Sequence, residues 1–214
     1  MTGPTHRQYS ICFAYIVLIV MFIYGITKIN YYLALPIILL TARAGALFPD
    51  LDHSWQNVGD KTTLNKIINA IIHITGGKHR SWQTHSIDIC LVYSVASVIV
   101  PNVLFNKGII DEVNKEVLLL VLVGFASGWL SHIFSDMLTS AGVRLICFIN
   151  FKIKLVPKKI GKLVFNTGHE WESFNYKFIK IINIFLGITC LIFPLVINGT
   201  FQNIIDYFMG GNPT

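Results

Sequence analysis

A chain of 214 residues with 53% hydrophobic residues, 13% charged residues and a mean hydropathy of +0.60 is an integral membrane protein and not a soluble domain. The formal net charge of +6 argues for lipid and against nucleic acid as a partner, because the Lys and Arg residues lie between apolar segments, where they set topology and touch anionic headgroups. Cys12, Cys90, Cys147 and Cys190 form no C-x-x-C pair, which argues against a disulfide framework or a thiolate metal site.

About 20 mostly apolar residues are needed to cross the hydrocarbon layer, and five segments meet that requirement: roughly 10–26, 31–48, 87–105, 116–138 and 178–198. The first follows Arg7 but is not followed by a small-x-small cleavage site, so it is expected to stay as a span. Pro36 and Pro194 fall inside the second and fifth spans as kinks. After the second span, Pro49 is expected to push Phe48 out of helical geometry, so that the chain leaves extended and Asp50 and Asp52 point the same way. The run from Leu64 to His73 has apolar residues at helical spacing but is too short to span, which reads as an interfacial helix. Ser86 or Thr84 would cap the third span. Beyond the fourth, Phe151-Lys152-Ile153-Lys154-Leu155 alternates with period two, Pro157 interrupts it, and Lys162 to Phe165 resumes an extended run, as in a small basic hairpin near the headgroups. With no repeat or linker, the fold expected is all-α and polytopic: one membrane domain of about five transmembrane helices, an interfacial helix and a small cytoplasmic β-hairpin.

The amino terminus, the 50–86 loop and the 139–177 loop carry most of the Lys and Arg, whereas the other side has only Lys28, Lys107 and Lys115. The excess of positive charge places the first group in the cytoplasm of a cell with the protein in its inner membrane. Three polar motifs then converge on that face. They are Pro49-Asp50-Leu51-Asp52-His53, the run from His79 and Arg80 to Thr84-His85-Ser86, and His132 with Asp136 in the last turns of the fourth span.

Imidazoles and carboxylates bind zinc, manganese or iron, and ionisable groups beside apolar spans are expensive unless they are used. His132 and Asp136 are four apart on a helix and share one face. Alone they read more readily as a His-Asp tie between helices than as a ligand pair; together with Asp50, Asp52, His53, His79 and His85 they read as a site for one or two divalent ions. His6, His73 and His169 stand outside these motifs and are expected at the surface or interface.

In their order, Pro-Asp-Leu-Asp-His, His-Arg followed by Thr-His-Ser, and Gly128-Trp129-Leu130-Ser131-His132 with Asp136-Met137-Leu138-Thr139 and Ala141-Gly142-Val143, the motifs resemble the YdjM-type, LexA-regulated family of membrane-bound metal-dependent hydrolases. The resemblance implies metal or catalytic roles for Asp50, Asp52, His53, His79, His85, His132 and Asp136, and it draws in Thr167-Gly168 and Glu172. The chain departs from the family in carrying Ser81 for a glycine, Gln83 as an additional residue, and Ser140 and Arg144 where proline is usual. The six-residue separation of His79 and His85 favours one as ligand and the other as proton donor or ligand to a second ion.

The chemistry expected is hydrolysis of an ester or phosphoester by metal-activated water. Glu172 would be the general base, with Asp50 or Asp52 as the alternative, and Arg80 with Lys78 would hold an anionic group. A site at the ends of the spans suits a phospholipid or lipid phosphate. A non-catalytic metalloprotein, either a structural anchor or a transporter, is the other class; transport needs ionisable residues deep in several spans, and only Arg43, His132 and Asp136 approach that.

Overall fold

Side-chain caps start three of the described helices. Asn30 accepts from the Tyr32 amide (2.9 Å), Thr62 from the Asn65 amide (3.1 Å) and Asp111 from the Asn114 amide (2.7 Å), each satisfying an amide that the helix leaves without a partner. The computed structural model describes residues 1–55, 61–78, 80, 82–147, 149–157, 159–160, 163–164 and 167–197. Its helices are α1 (Gly3–Ile23), α2 (Tyr31–Leu47), α3 (Thr63–Ile74), α4 (Trp82–His85), α5 (Ile87–Asn106), α6 (Glu112–Met137) and α7 (Glu170–Ile197). Among the described residues, α1, α2, α5, α6 and α7 are long and apolar enough to cross a membrane, so the protein is an all-α polytopic membrane protein. Pro36, Pro101 and Pro194 lie inside α2, α5 and α7.

Helix α6 is the centre of the bundle. Leu119 and Leu120 join Ala14, Leu18, Ile38 and Ala42 of α1 and α2 in one apolar cluster, and Trp129 and Ile133 join Cys90 of α5 in another. The outer faces of α5 and α7 expose Val92, Val95, Phe178 and Phe185, as helices facing lipid do. Helix α3 keeps Asn69 and Ile72 buried while exposing Leu64, Ile67, Ile71 and Ile74, the two-faced pattern expected of it.

The membrane helices extend further toward the motif end than hydrophobicity alone gives. Helix α1 begins at Gly3 instead of residue 10 and α7 at Glu170 instead of residue 178, because their polar turns satisfy each other: Glu172 accepts from the Thr2 amide and from the Thr2 and Thr5 hydroxyls. Phe48 is not extended. It keeps helical dihedrals (φ −58°, ψ −45°), its amide bonds to Ala44 and Gly45, and its ring packs on Phe125 and Trp129, which overrides the bias of a residue before proline. Pro49–Asp52 then form a 3₁₀ turn, in which residues two apart point to different sides, so Asp50 and Asp52 diverge.

Neither expected cap of α5 forms. The Ser86 hydroxyl donates to the Trp82 carbonyl and the Thr84 hydroxyl to Asp52. The extended region holds two antiparallel pairs where one hairpin was expected. Strand β1 (Val143–Ile146) pairs with β2 (Ile149–Ile153), and β3 (Lys159–Ile160) with β4 (Leu163–Val164). The first pair is docked on the motif end: Asp88 accepts from the Cys147 amide (3.0 Å) and the Leu155 amide donates to the Met137 carbonyl (2.8 Å).

A candidate metal centre at the end of the bundle

Four residues at four-residue spacing on α6, Gly124, Gly128, His132 and Asp136, lie along one face of the helix. The glycines bring α2 close. A Cβ on Gly128 would collide with the Ala42 carbonyl, one on Gly124 with the Thr41 hydroxyl, and on the α2 side one on Gly45 with the Phe125 carbonyl. Because the backbones approach so closely, the His132 Nδ1–H reaches the Ala46 carbonyl at 2.7 Å. That bond fixes the tautomer and turns the Nε2 lone pair toward the cluster. His132 Nε2 is buried and has no hydrogen-bond partner among the described residues. An orphaned imidazole nitrogen in a buried site is a candidate metal ligand.

Around that nitrogen stand Asp136 Oδ2 at 3.7 Å and Asp50 Oδ1 at 3.9 Å, and His85 Nε2 is 3.8 Å from Asp136 Oδ2. Donors about 2.1 Å from a tetrahedral ion lie about 3.4 Å from one another. The observed spacings are a few tenths of an ångström wider, which small side-chain rotations close. Two overlapping groups, Asp50 with His85 and His132, and His6 with His132 and Asp136, have ligand atoms close enough to hold a metal ion.

His85 is oriented by Asp52. The Asp52 carboxylate, fully buried, lies 3.0 Å from His85 Nδ1 and accepts the Thr84 hydroxyl at 2.7 Å, while the Trp129 indole N–H donates to the Thr84 carbonyl and holds α4 in place. The 3₁₀ turn therefore divides the two aspartates: Asp50 faces His132, and Asp52 holds the ring of His85 from behind. Arg80 adopts a left-handed backbone (φ 59°), rare for a side-chain-bearing residue, and places its guanidinium 3.4 Å from Asp136; its Nη1 is buried without a hydrogen-bond partner among the described residues. His53 lies beside the cluster, its carbonyl bonded by Asn69 and His73 of α3. His79 lies outside the described residues.

His6, expected at the surface, is buried at the centre of the site. Its ring stacks on His132 with centroids 3.6 Å apart, Nδ1 is 2.6 Å from the Ser135 hydroxyl, and Nε2 is 3.6 Å from Asp136 Oδ1. The helix that carries it is held by Glu172, whose carboxylate takes the three donors of the first turn of α1 and the Gly168 amide at 2.6 Å. Occupied by four donors, Glu172 fixes the entry of α1, while Asp50, whose side chain is 29% exposed, stands next to the cluster. The Met1 amine also reaches Asp136 Oδ1. His73 and His169 are exposed, as expected.

Asp50 and His53 also line a cavity of about 680 Å³ between the start of α1, the end of α2 and α3. Over residues 1–204 the chain matches the family of the YdjM inner membrane protein, and it belongs to that family. No curated protein and no solved structure matches it.

Proposed function

From membership of the YdjM inner membrane protein family, and from the buried His132 Nε2, which has no hydrogen-bond partner among the described residues and stands among Asp50, His85, Asp136 and His6, we propose a metal-dependent hydrolase of ester or phosphoester bonds at the membrane surface. His132, Asp136 and His85 would hold a divalent ion, with His6 completing the set or holding a second one and Asp50 standing beside it. Their imidazole and carboxylate atoms suit zinc first, and manganese or iron next. Such an ion supplies Lewis acidity, enough to make water nucleophilic near neutral pH.

The chain's own residues supply the rest. Asp52 and the Ala46 carbonyl hold the two imidazoles in their tautomers. Asp50, open to the cavity, takes the proton of the attacking water. Hydrolysis adds that water across the bond: its oxygen joins the acyl carbon or phosphorus, the bond to the alcohol oxygen breaks, and the proton passes to the leaving oxygen. Arg80, with a buried N–H to spare, stabilises the charge that builds on the reacting group.

A structural metal without turnover would use the same ligands. The partly exposed Asp50 on a cavity wall favours chemistry over a closed site. Elemental analysis of the purified protein, with a screen of chromogenic ester and phosphoester substrates, tests the reading: metal-dependent turnover abolished by His132→Ala supports it, and bound metal with no turnover on any substrate leaves the structural role. The Lys and Arg excess supports a cytoplasmic motif end. Reporter fusions after residues 157 and 197 are expected to give opposite signals, and equal signals would overturn that placement.

A further inference from the structure

The cavity has two chemically different ends. Its polar end holds Asp50 and His53 from the cluster turn and Arg7 from α1, whose Nε is buried with no hydrogen-bond partner among the described residues. Its other walls include Leu47 and Phe48 at the end of α2, Leu64 and Ile68 of α3 with the polar Thr62 and Asn65 beside them, and Phe125 of α6. Phe125 precedes His132 by seven residues, about 10 Å of helix further into the bundle. The cavity therefore runs from the ligand cluster toward the depth of the hydrocarbon layer.

Its α3 wall is both fixed and open. The Asn69 amide donates to the Leu51 and His53 carbonyls, which pins α3 to the turn carrying Asp50. Leu64, which lines the cavity, is nevertheless 64% exposed, on the same apolar face as Ile67 and Ile71. A wall that is apolar inside and out lets an acyl chain pass from the leaflet without crossing water.

We propose, resting on the hydrolase reading, that this cavity takes an anionic membrane lipid, its charged head between Arg7 and the cluster and one acyl chain along Leu47, Ile68 and Phe125. Charge decides the head. The Asp50 carboxylate is committed to the cluster, 3.9 Å from His132 Nε2, so Arg7 with a bound cation makes the polar end positive. Volume decides the tail: about 680 Å³ suits a headgroup with part of one chain, within the range of ligand pockets.

The test is binding, so that it stands apart from turnover. The full-length protein is placed in nanodiscs of phosphatidylcholine doped with phosphatidate carrying a photoreactive acyl chain. Crosslinks are expected on the peptides holding the end of α2 and α3, reduced about tenfold by Leu47→Trp, and also by Ile68→Trp should the first variant fail to fold. Arg7→Gln is expected to weaken labelling by phosphatidate but not by phosphatidylcholine with the same photoreactive chain. Labelling spread over α5 and α7 and insensitive to both Trp variants would overturn the cavity assignment; equal labelling by the two lipids would overturn the choice of an anionic head. If metal-dependent hydrolysis of a soluble ester persists while the labelling fails, only the lipid inference falls. If labelling succeeds and no turnover is found, it is the hydrolase reading that falls.

Discussion

Helix α6 buries a carboxylate near each end, and the two differ in the groups gathered around them. Glu116 is 3% exposed and fully engaged: the Thr27 hydroxyl donates at 2.7 Å, the Lys28 amide at 3.0 Å, and the Lys115 ammonium lies at 3.0 Å. Beside it the Glu112 carboxylate hydrogen-bonds Lys28 and raises its pKa above the usual lysine value. Asp136, 2% exposed, takes the Met1 amine and lies 3.4 Å from Arg80, and it also faces three imidazoles at 3.6, 3.7 and 3.8 Å, too far for hydrogen bonds. One end closes its polar groups against each other. The other gathers ligand atoms around a nitrogen with no hydrogen-bond partner among the described residues, at a cost in buried polarity.

Four substitutions break or sharpen this contrast, with effects on metal affinity that decrease in order. His132→Ala removes the orphaned nitrogen. Because even an outer partner of a ligand is worth roughly 10- to 100-fold, losing the ligand itself is expected to cost more than about 100-fold in affinity measured by competition with a chelator. Gly128→Leu drives a side chain into the Ala42 carbonyl and forces α2 away from α6. With the Ala46 carbonyl displaced from His132, affinity is expected to fall by about 100-fold, and a helix-packing crosslink between cysteines placed on α2 and α6 should weaken in parallel.

Asp52→Asn keeps shape but loses the charge behind His85, and about a tenfold loss of affinity is expected, with the protein still folded by circular dichroism. Glu116→Gln is the control from the opposite end. It should leave metal affinity unchanged while lowering stability by about 1–3 kcal/mol in a reversible unfolding assay, since buried donors lose a charged acceptor. A metal loss in Glu116→Gln equal to that in Asp52→Asn would erase the distinction between the two ends.

Where the contrast was legible in the sequence, it was through length and spacing. Five apolar runs gave the five long helices, and the four-residue step from His132 to Asp136 gave one face of α6. The rest depended on contacts between distant segments. His6 sits among polar residues ahead of an apolar run and looked like tail; it is buried because Glu172, far along the chain, satisfies the first turn of α1. A histidine at the polar end of a span, as His132 is on α6, was the signal that could have found it. Asp50 and Asp52 appeared equivalent because the Pro49 turn was read as extended, and a 3₁₀ turn sends them to different partners. The Gly124 and Gly128 pair has the small-residue spacing of close helix packing and was visible, but only the structure shows that it delivers the Ala46 carbonyl to His132.

The central claim is that the end of α6 holds a divalent ion through imidazole and carboxylate atoms. X-ray absorption at the zinc edge of the zinc-loaded protein reads this directly. The expected spectrum has a shell of nitrogen and oxygen at about 2.0–2.1 Å with outer-ring scattering from at least two imidazoles, reduced in His132→Ala. A sulfur shell at about 2.3 Å, or a spectrum that His132→Ala leaves unchanged, would place the ion elsewhere and contradict the account.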